Sequence, residues 1–270
     1  MPARTPRAGS VNDPPTMFTV PVQNELPVTI EVYERDPSSG RTRFLDSIDA
    51  GQAKILNTIQ ASIRVVVAES AAIILDRPLP IVGKLVVDSI VLTAPNSIPP
   101  PPSPSAALLI PPDPAAYLVG IGAYATKPKP PIVLLREQFW RKGPESFSLP
   151  PRSSIQKILR QTSGRTATSS TTDEVTKALS LQASAGWGPF SAAASASLST
   201  TSQRTDTLTV REESSASIVQ TFSNETDLPV IVCLWQLVDR IRVVKEGKSV
   251  AAVDCGLLPL IPLTYQPSSR

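Results

Sequence analysis

The sequence predicts an all-β fold: a small N-terminal β-sandwich, a proline-rich connection and an elongated C-terminal β-domain with a long amphipathic hairpin. Three observations carry the prediction. Short β-prone runs broken by turn residues recur at regular spacing after Met17. The stretch from Ser153 to Asn224 is dense in Ser and Thr and poor in breakers, a composition that favours long solvated strands. Within it, apolar and small polar residues alternate with a period of two, the period of a strand.

Residues 1–16, rich in Pro, Arg, Ser and Asp, read as a tail outside the fold. The N-terminal sandwich is expected over residues 17–94, with strands at Phe18–Val22, Val28–Tyr33, Thr42–Ile48, Ala53–Ile59 and Ser62–Ala68. Asp36-Pro37-Ser38-Ser39-Gly40 and Asp49-Ala50-Gly51 supply turns, since Asp and Ser bond their own backbone and Gly admits positive φ. Residues 95–116 form the connection. Pro99-Pro100-Pro101-Pro102-Ser103-Pro104 and Pro111-Pro112-Asp113-Pro114 lack the amide donors of a helix or central strand, so this is a stiff linker or an exposed extended loop. A PxxP ligand for an aromatic groove has the same composition, but semi-rigid spacing explains it equally well.

The C-terminal domain is expected over residues 117–270. Tyr117–Ala125, Ile132–Leu135 and Arg136–Trp140 read as strands that lead into Glu145–Leu149. After the turn Asn224–Asp227, the near-continuous apolar run Leu228–Val238 has the pattern of a strand buried on both faces. Ile241–Val244, Val250–Val253 and Leu257–Leu263 continue that core. Trp235 reads as a core anchor rather than a ligand platform, and Pro259 and Pro262 set the last strand at an edge. Cys233 and Cys255 are too far apart for a CxxC motif. Neighbouring strands could join them in a disulfide, or both are buried thiols.

The sharpest pattern lies between Lys177 and Arg204, where no residue is charged. Leu179, Leu181, Ala183 and Ala185 share one face of a strand, and Ser180, Gln182 and Ser184 share the other. After Gly186-Trp187-Gly188-Pro189, Ala192, Ala194, Ala196 and Leu198 alternate with Ala193, Ser195, Ser197 and Ser199. Two arms thus face each other across a Gly-Pro turn. An uncharged arm with one apolar face meets the requirement of a transmembrane β-strand, because ~9–11 tilted residues cross the hydrocarbon layer. Closure of several hairpins into a barrel pairs every backbone amide. In that arrangement the Leu and Ala set faces lipid, Ser180, Gln182, Ser184, Ser195 and Ser197 line the lumen, and Trp187 and Phe190 anchor the tip at the far interface. A second reading is a fixed soluble hairpin whose alanines pack closely on a neighbouring sheet. A third is a helix opened by the capping box Thr171-Thr172-Asp173-Glu174, opposed by Gly186, Gly188, Pro189 and the period of two.

With these arms and the flanking strands Thr205–Arg211 and Ser215–Phe222, the chain resembles the aerolysin-like β-pore-forming toxins, the group that includes the epsilon-toxin and mosquitocidal-toxin relatives. The likeness spans Phe147 to Val244 and implies a stored hairpin released on oligomerisation. The apolar face here is mostly alanine. In the N-terminal part, Asn24-Glu25-Leu26-Pro27-Val28, Asp49-Ala50-Gly51-Gln52, Asn57-Thr58 and Arg64–Val67 are similar to the β-domain pattern of von Hippel–Lindau-like modules. Ala61-Ser62-Ile63-Arg64 stands where those modules usually carry Gly-His-x-Trp, so the resemblance implies a β-sandwich fold and is no evidence of peptide recognition.

Composition narrows the function classes. The chain has no histidine, which removes Ser-His-Asp and Cys-His catalysis and most zinc sites. Its carboxylates are scattered, and the expectation is a non-enzyme with no metal, no cofactor and no small-molecule substrate. Net charge is +3 with signs interspersed, which argues against nucleic acid. No apolar stretch forms a signal-peptide core or approaches the ~18 residues of a membrane helix. The expectation is a soluble chain, released or extracellular by a non-classical route such as lysis or a dedicated machine. The leading function is β-pore formation by a homo-oligomer that meets a membrane or cell-surface receptor. The runner-up is a non-lytic structural or adhesive β-protein that binds protein or carbohydrate or serves as an assembly component.

Overall fold

The computed structural model describes residues 17–82, 85–86, 89–93, 99–102, 115–124, 132–165, 214–256 and 261–265. These residues form sixteen strands and no helix. In chain order they are β1 Phe18–Asn24, β2 Ile30–Arg35, β3 Thr42–Ile48, β4 Ala53–Thr58, β5 Ser62–Val67, β6 Ile73–Pro78, β7 Ile81–Val82, β8 Leu85–Val86, β9 Ile90–Leu92, β10 Tyr117–Tyr124, β11 Ile132–Leu149, β12 Ser153–Arg165, β13 Ser214–Asn224, β14 Val230–Lys245, β15 Lys248–Gly256 and β16 Ile261–Tyr265. The fold is all-β, as the sequence predicts.

A three-stranded sheet, β4-β1-β9, packs on the β6-β5-β2-β3 end of an eleven-stranded sheet whose order is β13-β12-β15-β14-β11-β10-β6-β5-β2-β3, with β16 beside β14. Strict alternation drives this packing. Val20 and Val22 of β1 point inward while Thr19 and Pro21 face water, and Ile30 and Val32 of β2 meet them from the opposite sheet. The core does not stop at the sandwich. Leu118 and Ile121 of β10, Val133 and Leu135 of β11 and Val244 of β14 belong to the same buried cluster, so the long strands grow out of it.

Two corners are built alike. At the first, β1 turns into β2 and β3 turns into β4, and both pairs pass from one sheet to the other. Asn24 locks it: its Nδ2 donates to the carbonyls of Val28 (2.8 Å), Ile48 (3.0 Å) and Asp49 (3.1 Å), and its Oδ1 accepts from Leu26 N (3.1 Å). At the second, β13 turns into β14 and β11 into β12. Asn224 Nδ2 donates to the carbonyls of Leu228 (2.8 Å), Leu149 (3.2 Å) and Pro150 (2.9 Å), and its Oδ1 accepts from Thr226 N (3.1 Å). The bonds fall at the same offsets, i+4 and i+2, in Asn24-Glu25-Leu26-Pro27-Val28 and Asn224-Glu225-Thr226-Asp227-Leu228. Gly51 (φ 74) and Arg152 (φ 51) hold matching left-handed positions in the opposing turns.

Three expectations need correction. Ile132–Leu135, Arg136–Trp140 and Glu145–Leu149 are one 18-residue strand, and Val230–Lys245 likewise runs unbroken through Asp239 and Arg240. Of the polar residues along them, Arg136, Glu137, Asp239 and Arg240 are ion-paired within the sheet. The candidate disulfide is not formed, because Cys233 is a buried thiol. Along β14 it lies opposite Ser146 and Leu263, whereas Cys255 lies opposite Asp239, six residues or about 20 Å further on. Finally, the proline connection is not wholly exposed: Pro99 is buried and its carbonyl accepts a bond from Trp140 Nε1 at 3.4 Å.

Candidate functional site

The site that the fold positions is the ribbon β12–β13, the two strands between which residues 166–213 leave and re-enter the described structure. Eleven consecutive antiparallel pairs, from Ser153↔Asn224 to Ser163↔Ser214, run without a bulge. Only at its far end does β12 join the large sheet, through Gly164↔Gly256 and Arg165↔Cys255. One face of the ribbon is anchored: Leu159 and Phe222 are buried against Leu149, Val230, Val232 and Leu234, and Phe222 meets the Phe147 ring edge to face at 5.1 Å. Lys157 on the same face sets its ammonium 4.2 Å from the Phe147 ring centroid. The other face carries Ser154, Gln156, Ile158 and Arg160 opposite Ser223, Thr221, Val219 and Ser217. It is open, with Ile158 and Val219 exposed at 66% and 58%.

The ribbon is rooted in strands whose middle is held by charge. Facing residues of β11, β14 and β15 share a side of the sheet, so Glu137, Arg240 and Asp254 lie in one row. Arg242 donates to both carboxylate oxygens of Glu137 (2.9 and 3.1 Å). Arg240 does the same to Asp254 (2.6 and 3.2 Å), and Arg141 also donates to Asp254. Arg141 and Arg240 both stack on Phe139, at 5.5 and 4.7 Å from its centroid. On the opposite side Arg136 donates through Nε (3.0 Å) and Nη2 (2.6 Å) to Asp239, and both residues are buried.

Burial by itself would raise the Asp254 carboxyl, but the hydrogen bonds and charges of Arg240 and Arg141 outweigh it and hold its pKa below the usual value. A depressed folded pKa contributes stability that is complete above the unfolded value and lost as pH falls through the folded one. Denaturant midpoints should therefore decline below about pH 4, the ordinary aspartate range. Asp254→Asn should flatten that decline and lower stability at neutral pH, and a variant with an unchanged acid limb would remove Asp254 from the account.

Each of these carboxylates faces a guanidinium. The shallow cavity of about 220 Å³ lined by Glu34, Asp36, Arg41, Thr42, Arg43 and Gln60 is similar in character. There Arg43 first, then Thr58 and the Ile59 amide, hold the Glu34 carboxyl below its ordinary pKa. Among the described residues no group of three or more Cys, Asp and Glu could hold a metal ion.

Leu179, Leu181, Ala183, Ala185, Trp187, Phe190, Ala192, Ala194, Ala196 and Leu198, with Ser180, Gln182, Ser184, Ser195 and Ser197, lie outside the described residues. Of the flanking strands, Ser215–Phe222 falls inside β13, and Thr205–Arg211 lies outside the described residues. Sequence reasoning missed the two corner asparagines and the ionic rows. The repeated Asn-Glu and Leu-Pro-Val of residues 24–28 and 224–230 was a readable signal for the former.

The chain is thus an all-β protein with a sandwich at one end and a root of long strands carrying a two-stranded ribbon. No protein-family model matches it, and no curated protein does. Among solved structures it is similar to the crystal structure of Cry35Ab1, with 9% sequence identity and a TM-score of 0.41, over 87% of this chain and 62% of that one. The chain therefore spans less than two thirds of that protein's length. A likeness at this identity concerns fold alone, and at this score it carries no argument.

Proposed function

We propose that the chain is a non-enzymatic β-pore-forming protein that oligomerises on a target membrane and inserts the segment between β12 and β13 as an amphipathic hairpin. The observation that carries this reading is the register of the ribbon. Each step forward along β12 is matched by one step back along β13, from Ser153↔Asn224 to Ser163↔Ser214. Counting on in the same step sets Leu179 against Leu198, Leu181 against Ala196, Ala183 against Ala194, Ala185 against Ala192 and Trp187 against Phe190, with Gly188-Pro189 at the turn. In a hairpin that continued this count, the apolar set of one arm would meet the apolar set of the other, on the side of Leu159 and Phe222, and the Ser and Gln set would fall on the side of Ser154 and Gln156. A chance alternation in either arm alone would not respect a register fixed elsewhere.

The test is leakage of dye-loaded liposomes made from target-like lipid extract. Ala194→Asp puts a carboxylate on the lipid face and should reduce leakage to background while the thermal melt stays unchanged. Ser195→Asp, on the lumen face, should still leak and should shift the pore toward cations. Equal leakage from Ala194→Asp and the wild type would sink the register. In the other reading, a non-lytic structural or adhesive protein, the hairpin is a fixed part of the sheet and every variant leaves the liposomes intact.

A further inference from the structure

We infer that β13 is a self-association edge, where the soluble chain pairs with a second copy of itself. In the sheet order β13 stands at the end, bonded to β12 on one side and to no strand on the other among the described residues. A long free edge is normally blunted by charge, proline or a bulge. The opposite edge, β3, carries Arg43 and Asp46, and β4 at the edge of the small sheet carries Lys54. β13 has none of these devices: Ser214-Ser215-Ala216-Ser217-Ile218-Val219-Gln220-Thr221-Phe222-Ser223-Asn224 is straight, eleven residues long and uncharged.

Neutrality along the whole edge points to a second copy rather than a different partner. In an isologous antiparallel pairing each residue meets itself or its mirror position, so a charge near the axis would face a like charge. A foreign strand imposes no such condition and is more often matched by opposite charge. With the twofold axis at Val219, the middle of β13, Ser214 meets Asn224 of the second copy and Val219 meets Val219 of the second copy. Ile158 is the cross-strand partner of Val219 on the open face. Pairing therefore aligns Ile158, Val219 and their two counterparts in one apolar row across the joint sheet, and brings the two exposed Val219 side chains against each other at the joint.

This edge belongs to the soluble chain, and its test needs no lipid, so it stands or falls apart from membrane insertion. Size-exclusion chromatography with light scattering on the full chain should give twice the chain mass. Val219→Lys sets two ammonium groups face to face on the axis and should give a monomer with the wild-type circular dichroism spectrum and melt. Val219→Cys should cross-link to a covalent dimer under mild oxidation, above the wild-type background. Thr221→Cys should not, because two copies of it lie roughly 14 Å apart along the paired strands, beyond disulfide reach. A monomeric wild type, a dimer that survives Val219→Lys, equal cross-linking at positions 219 and 221, or an open fibre would each overturn the proposal.

Discussion

Asn24→Ala should lower the stability of the chain by roughly 3–4 kcal/mol, and Asn224→Ala by a similar amount. Neither asparagine touches a candidate ligand. Each ties the backbone of its own turn to that of a second turn, residues 24–28 to 48–49 and residues 224–228 to 149–150. Asn24 is fully buried, and its removal leaves the carbonyls of Val28, Ile48 and Asp49 and the amide of Leu26 short of partners. Asp cannot rescue it. At neutral pH Asn24→Asp would aim a carboxylate at three carbonyl oxygens and should be worse than Asn24→Ala. Because that carboxyl would have a raised folded pKa, part of the loss should return as pH falls toward the aspartate range. The check is a urea series at pH 7 and near pH 4. An Asn24→Ala midpoint within error of the wild type would mean that the corner is held by packing alone, through Leu26 and Val28.

The strands and turns of the N-terminal sandwich were legible because their signals are local. Thr42–Ile48 is β3 to the residue, and Gly40 and Gly51, read as turn residues, hold φ of 70° and 74°. The long strands were not legible because their signal is distant. Arg136–Trp140 and Ile132–Leu135 read as separate short strands, yet Arg136 finds Asp239 and Glu137 finds Arg242 across a sequence separation of more than a hundred residues, within one long strand. No local window contains both partners. The alternation over residues 179–198 is plain in the sequence but lies outside the described residues; the structure contributes the register of β12 and β13 on either side of it.

The same buried pairs carry the second large effect. Arg136→Met should cost roughly 3–5 kcal/mol, since Asp239 would be left as a buried charge that has lost its strongest partner. Asp239→Leu should cost a comparable amount by stranding the guanidinium. The double variant Arg136→Met/Asp239→Leu removes both charges and keeps the volume apolar, so it should recover most of the loss and need not be less stable than the wild type. That non-additivity is the measurable quantity. It separates a pair that specifies how β11 and β14 align from one that stabilises them outright. If the double variant is stable yet shows a broadened, less cooperative melt, the pair selects the register of the long strands that root the ribbon. If the two single losses simply add, Arg136 and Asp239 act independently and the ionic layer has no such role.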